Sequence, residues 1–200
     1  MFERRWGLLL VLLVVPIGNT PVWAEPVSYT IDPEHTYPSF EAPHIAGISI
    51  WRGKLEKTSG SIVLDRQAHT GHLEVVMDAA SIDFGHPGLN AHVKTADFFD
   101  VAKYPTITYK ADTIKFQGDT PTEIDGILTM HGVSRPVALK VNEFKCIIHP
   151  MLKREVCGAD ASAQLNRSDF GLAYGVSMTG DWVRLAIQVE ARKDQKAAGS

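Results

Sequence analysis

Strict alternation of apolar and polar residues does more than any other feature to limit what this chain can fold into. In "WVRLAIQVEA", Val183, Leu185, Ile187 and Val189 fall on one face, with Arg184, Gln188 and Glu190 on the other. That is the period-two signature of a strand with one covered side. Leu73, Val75 and Met77 share a face in "HLEVVMDA", and Val137, Leu139 and Val141 do so in "VALKVNE". Further runs are "SIVLD", "TITYKA", "EIDGILTM" and "ADASAQLNRSDF", parted by turn-rich pieces such as "FQGDT" and "SMTGD". The pattern predicts about eight strands. One helix is expected over residues 88–98, with Asn90 suited to cap it. So little helix cannot cover the apolar faces, and the sheet must close into a barrel or fold as a sandwich. Periodicity alone admits both.

The first residues have a separate purpose. Arg4 and Arg5 precede the apolar run "LLLVLLVVPI", and Val22 and Ala24 stand in small-residue cleavage positions. This three-part pattern predicts a secretory signal peptide over residues 1–24, cut after Ala24, and a periplasmic location. The apolar run is too short to anchor the chain comfortably in a bilayer. The whole chain carries a formal charge of −3, and losing the leader's two arginines and one glutamate leaves it more acidic still. With no basic cluster, nucleic acid is a poor partner. No repeat or linker divides residues 25–192, which read as one domain, and residues 193–200 read as a loose tail.

Cys146 and Cys157 are the only cysteines. In an exported chain the default is a disulfide, closing a hairpin loop at about 3 kcal/mol by loop entropy. Their spacing is too wide for a Cys-x-x-Cys redox pair.

A set of motifs running in order through the mature chain resembles the YceI-like family of exported, lipocalin-like proteins. They are "YTID" at Tyr29–Asp32, His35, Phe40, His44, "RG" at Arg52–Gly53, "SID" at Ser81–Asp83, His92, "ADFFDVAKYPTITYKA", "DGILTMHGVSRPV" at Asp125–Val137, and "RSDFGL" at Arg167–Leu172. The resemblance implies an all-β fold: an extended eight-stranded antiparallel lipocalin-like barrel with an apolar lumen and one helix near residues 88–98. It also implies binding of a long isoprenoid or quinone-like lipid, and a homodimer. The chain departs from the family at Asn90-Ala91-His92-Val93, where Asp-x-His-Leu is common, and at Leu55, where phenylalanine is usual after "RG".

On that basis Val75, Met77, Phe98, Phe99, Ile107, Tyr109, Leu128, Met130, Val137, Leu139 and Leu185 are candidates for the inner wall. The alternative for each is a plain core position. His35, His44, Arg52 and His92 are candidate polar groups at the pore mouth, where a head group needs hydrogen bonds. The eight histidines form neither a His-Glu-x-x-His motif nor a Cys/His array, so no metal site is expected. No Gly-x-Ser-x-Gly turn occurs, and Arg167 is expected to pair with Asp169 or to brace a turn. No cofactor is expected beyond a bound isoprenoid or quinone-like lipid, and no covalent chemistry. The reading from another class is a periplasmic stress or redox accessory protein acting through protein partners, and a weaker one is an enzyme using His92.

Overall fold

The computed structural model of the chain describes residues 25–195; the expected signal peptide and residues 196–200 lie outside them. The alternating runs become β1 (Val27–Ile31), β2 (Ser39–Pro43), β3 (Ile50–Leu55), β4 (Thr58–Asp65), β5 (Thr70–Asp78), β6 (Ile82–Asp83), β7 (Thr106–Gln117), β8 (Thr120–Met130), β9 (Val133–Ile148), β10 (Glu155–Asn166) and β11 (Trp182–Lys193). The helices are α1 (Pro87–Val93) and α2 (Val176–Thr179). None among the described residues is long and apolar enough to cross a membrane.

Every strand pairs antiparallel with its neighbour, in the order β1-β4-β5-β7-β8-β9-β10-β11, and β11 returns to β1 through Tyr29↔Lys193 and Ile31↔Ala191. The expected barrel of eight strands is therefore closed, and closure removes the sheet's open edges. The sandwich alternative falls. β2, β3 and β6 carry three of these staves onward past breaks. β2 pairs with the other half of β11 at Leu185↔Phe40, then with β3, which pairs with β6.

The break between β1 and β2 has a clear cause. Pro33 and Pro38 flank it, and proline cannot donate to a ladder. Thr36 makes good the loss. Its hydroxyl donates to the Glu190 carbonyl at 3.2 Å and accepts from the Glu190 N–H at 3.1 Å.

The helix expected over residues 88–98 is shorter, and its cap is different. The His86 imidazole, not Asn90, accepts from the Leu89 N–H at 3.1 Å. The Asn90 carboxamide is used elsewhere, accepting from the Phe84 N–H at 2.8 Å and donating to Asp83 at 2.6 Å. After Val93 the chain winds into turns, with the Phe99 N–H on the Val93 carbonyl at 3.0 Å and Asp100 at a φ of 44°.

β8 and β9 join through His131 and Gly132, whose φ values of 52° and 74° suit a two-residue hairpin turn matching the strand twist. Tyr104 covers this turn, 4.7 Å ring to ring from His131. At the far end of the same strand, Cys146 stands opposite Cys157 of β10, and the two form the expected disulfide.

Candidate ligand-binding cavity

The inward side chains do not meet on the barrel axis. They leave a cavity of about 360 Å³, within the range of small-molecule sites. Its lining runs from Pro43 and His44 at the α1 end of the barrel to Pro121 and Phe144 toward the other.

Val75, Met77, Ile107, Tyr109, Leu128, Met130, Val137, Leu139 and Leu185 all line it. Register explains why they share a side. Val75 opposes Tyr109, Tyr109 opposes Leu128, and Met77 opposes Ile107, and directly opposed residues project from the same face. Tyr109 is the one phenol in the wall. Its hydroxyl lies 2.8 Å from the Val137 carbonyl and 3.0 Å from that of Ile124, and burial pushes its pKa up.

Phe98 and Phe99 reach the cavity from the turns after α1, each half-buried. Behind Phe98 stand His92, at 5.1 Å between ring centres, and Tyr174, at 5.2 Å. Trp51 of β3 also lines the cavity and meets the rings of His44, Phe84 and His86 at 5.4, 6.3 and 6.0 Å. This end of the barrel is walled by aromatics.

The expected polar mouth is not assembled. Of its four members, only His44 lines the cavity. His92 is tucked behind Phe98, against rings rather than a polar pocket. Arg52 points outward to Glu41, at 2.8 Å, because the pleat turns its neighbour Trp51 inward. His35 sits in the break between β1 and β2, where its imidazole holds Asp32 at 2.9 Å. Arg192 grips the same carboxylate. Burial alone would raise the Asp32 pKa, but hydrogen bonds from Arg192, His35 and the Glu34 N–H outweigh it and hold the carboxyl at about 2. Asp32, His35 and Glu190 bring one ligand atom each within 4.8 Å, but two partners already occupy Asp32.

Sequence reasoning missed the main polar group of the wall. Arg167 follows β10 and is nine-tenths buried, with 9% exposure. It braces its own segment rather than pairing with Asp169. Its Nη1 donates to the Leu172 carbonyl at 2.6 Å, Nε to the Gly180 carbonyl at 3.3 Å and Nη2 to Thr179 Oγ1 at 2.9 Å. Both Arg167 and Thr179 line the cavity. Thr58 was missed too. Its hydroxyl is buried in the wall and has no hydrogen-bond partner among the described residues. No local sequence signal gives either one its place in the wall: Arg167 stands in the "RSDFGL" motif, but the fold of residues 167–181 sets where it points, as the break between β3 and β4 does for Thr58.

Comparison with known proteins agrees with this architecture. The sequence profile of the YceI-like domain matches residues 29–191. A UPF0312 protein of Pseudomonas putida is 31% identical over 170 residues, covering 84% of this chain and 87% of its own length. One from Vibrio parahaemolyticus is 26% identical over 188 residues, covering 92% and 95%. Among solved structures, BcnA of Burkholderia cenocepacia superposes with a TM-score of 0.65 at 21% identity, covering 80% of this chain and 98% of its own. A polyisoprenoid binding domain from Saccharophagus degradans gives 0.63 at 15% identity, covering 84% and 99%.

Proposed function

The chain belongs to the YceI-like family, and from that premise we propose that it binds a long apolar lipid, a polyisoprenoid or isoprenoid quinone, inside the barrel. The observation that carries this reading is the predominantly apolar lining of the cavity along the barrel. The polyisoprenoid binding domain of like fold adds support.

The physical basis is burial without covalent chemistry. Each buried CH₂ contributes about 0.8 kcal/mol, so a five-carbon isoprene unit contributes roughly 3–4 kcal/mol. Association and chain ordering offset much of that total, yet a few units suffice for firm binding with almost no polar contacts. The protein then sequesters the lipid or carries it between membranes, and the expected export to the periplasm gives that activity a place.

Two tryptophans remain after Ala24, Trp51 and Trp182, and of these only Trp51 lines the cavity. A Trp182→Phe variant therefore carries one reporter inside the wall. Titration with geranylgeraniol should shift or quench its emission saturably. An emission that never responds to added isoprenoid overturns the reading.

A further inference from the structure

We propose that the lipid is acidic, and that its head group, a carboxylate or a phosphate, seats on Arg167 beside Thr179 at the α1 end of the barrel. This rests on the reading of the cavity as a lipid site and names the chemistry of the lipid's end.

Arg167 is the one charged residue in the cavity wall. Every other lining residue is apolar apart from the hydroxyls of Thr36, Ser39, Thr58, Tyr109 and Thr179 and the imidazole of His44, and no aspartate or glutamate takes part. A guanidinium carries five N–H donors. Three are spent on Leu172, Gly180 and Thr179, and two have no partner among the described residues. All three acceptors are neutral.

The nearest acids are otherwise engaged. Asp181 accepts from the Ser168 N–H at 2.9 Å and from its hydroxyl at 2.6 Å. Asp169 is exposed, and no carboxylate among the described residues lies within ion-pair distance of Arg167. A positive charge is thus nine-tenths buried against an apolar lumen with no direct ion pair, balanced in part only by the field of Asp181, and a buried charge without a bonded counter-ion is costly. Burial accordingly pulls the guanidinium's pKa down. An anion arriving in the cavity would add a directly bonded counter-charge and accept the two remaining donors, and a planar fork matches a carboxylate or phosphate in two-point fashion. The Phe98 ring lies 5.9 Å from the guanidinium carbon, within reach of a cation–π contact.

Bracing the segment is a role Arg167 fills already, so the test must read something bracing does not move. Geranylgeraniol, geranylgeranoic acid and geranylgeranyl monophosphate share one chain and differ only at the head. We expect at least one of the two acids to bind the wild type tenfold or more tighter than the alcohol at pH 7.5, and the tighter of the two identifies the head group. In Arg167→Gln, shown folded by circular dichroism, that ratio should fall toward one, and Arg167→Lys should keep part of it. If Arg167→Gln does not fold, the wild-type ratio decides alone. Equal affinity for alcohol and acids overturns the inference while leaving the lipid cavity standing. Failure of all three to bind overturns the cavity reading itself.

Discussion

The ring of Tyr109 on β7 passes directly over Gly126 on β8 to place its hydroxyl 2.8 Å from the Val137 carbonyl on β9. One side chain thereby ties three neighbouring staves on the cavity side. A methyl group built on Gly126 would come 2.4 Å from Tyr109 Cζ and 2.6 Å from its hydroxyl. Gly126→Ala should therefore destabilise the fold by about 1–3 kcal/mol through overpacking, read as a lower denaturation midpoint. An unchanged midpoint would contradict this placement of the ring.

The disulfide joins facing residues of β9 and β10 across a sequence separation of 11. Removing it, as Cys146→Ser with Cys157→Ser, should cost about 3 kcal/mol. The barrel should keep its strand signature in circular dichroism, because closure depends on the strand ladders. Loss of the strand signature at 25 °C would mean that the bridge is needed for closure.

Asp32 makes stability depend on acid. Its folded pKa of about 2 lies below the ordinary unfolded value of about 3.9. The contribution is therefore complete above about pH 4 and is lost as pH falls through 2, amounting to roughly 2 kcal/mol. His35 acts in the opposite sense. The Asp32 hydrogen bond raises its pKa, so its contribution is present below about 6.5 and fades as pH rises beyond the folded value. Denaturation midpoints across pH 2 to 5 should fall steeply for the wild type and less so for Asp32→Asn. Parallel curves would refute the assignment.

Thr58 buries a hydroxyl without a partner. An unsatisfied buried polar group costs about 1–3 kcal/mol, and a methyl of the same shape removes that cost. Thr58→Val should leave the ligand-free protein as stable as the wild type or about 1 kcal/mol more so. A clear loss of stability would show that the hydroxyl does have a partner.

Much of the barrel could be read from the sequence, because a period of two assigns each strand an inner face once one face is known to be covered. Val75, Met77, Ile107, Tyr109, Leu128, Met130, Val137, Leu139 and Leu185 are all aligned by that rule. The polar residues obeyed no such rule. His35 was displaced by the proline-flanked break between β1 and β2, and Arg52 by the pleat that turned Trp51 inward. Arg167 was expected to pair with Asp169 or to brace a turn; it braces, but through partners 5 to 13 residues further on, in a segment whose path no local pattern reveals. The helix near residues 88–98 was legible, but its length and its cap were not, for a similar reason. Asn90 is a good cap by type, but His86 stood nearer the true start and Asn90 was drawn to Asp83.

The most direct measurement is native mass spectrometry of the mature protein purified without detergent, with organic extraction of whatever it carries. The account predicts one isoprenoid or quinone-like molecule per barrel. A ligand-free mass that persists after loading with added isoprenoid would contradict it.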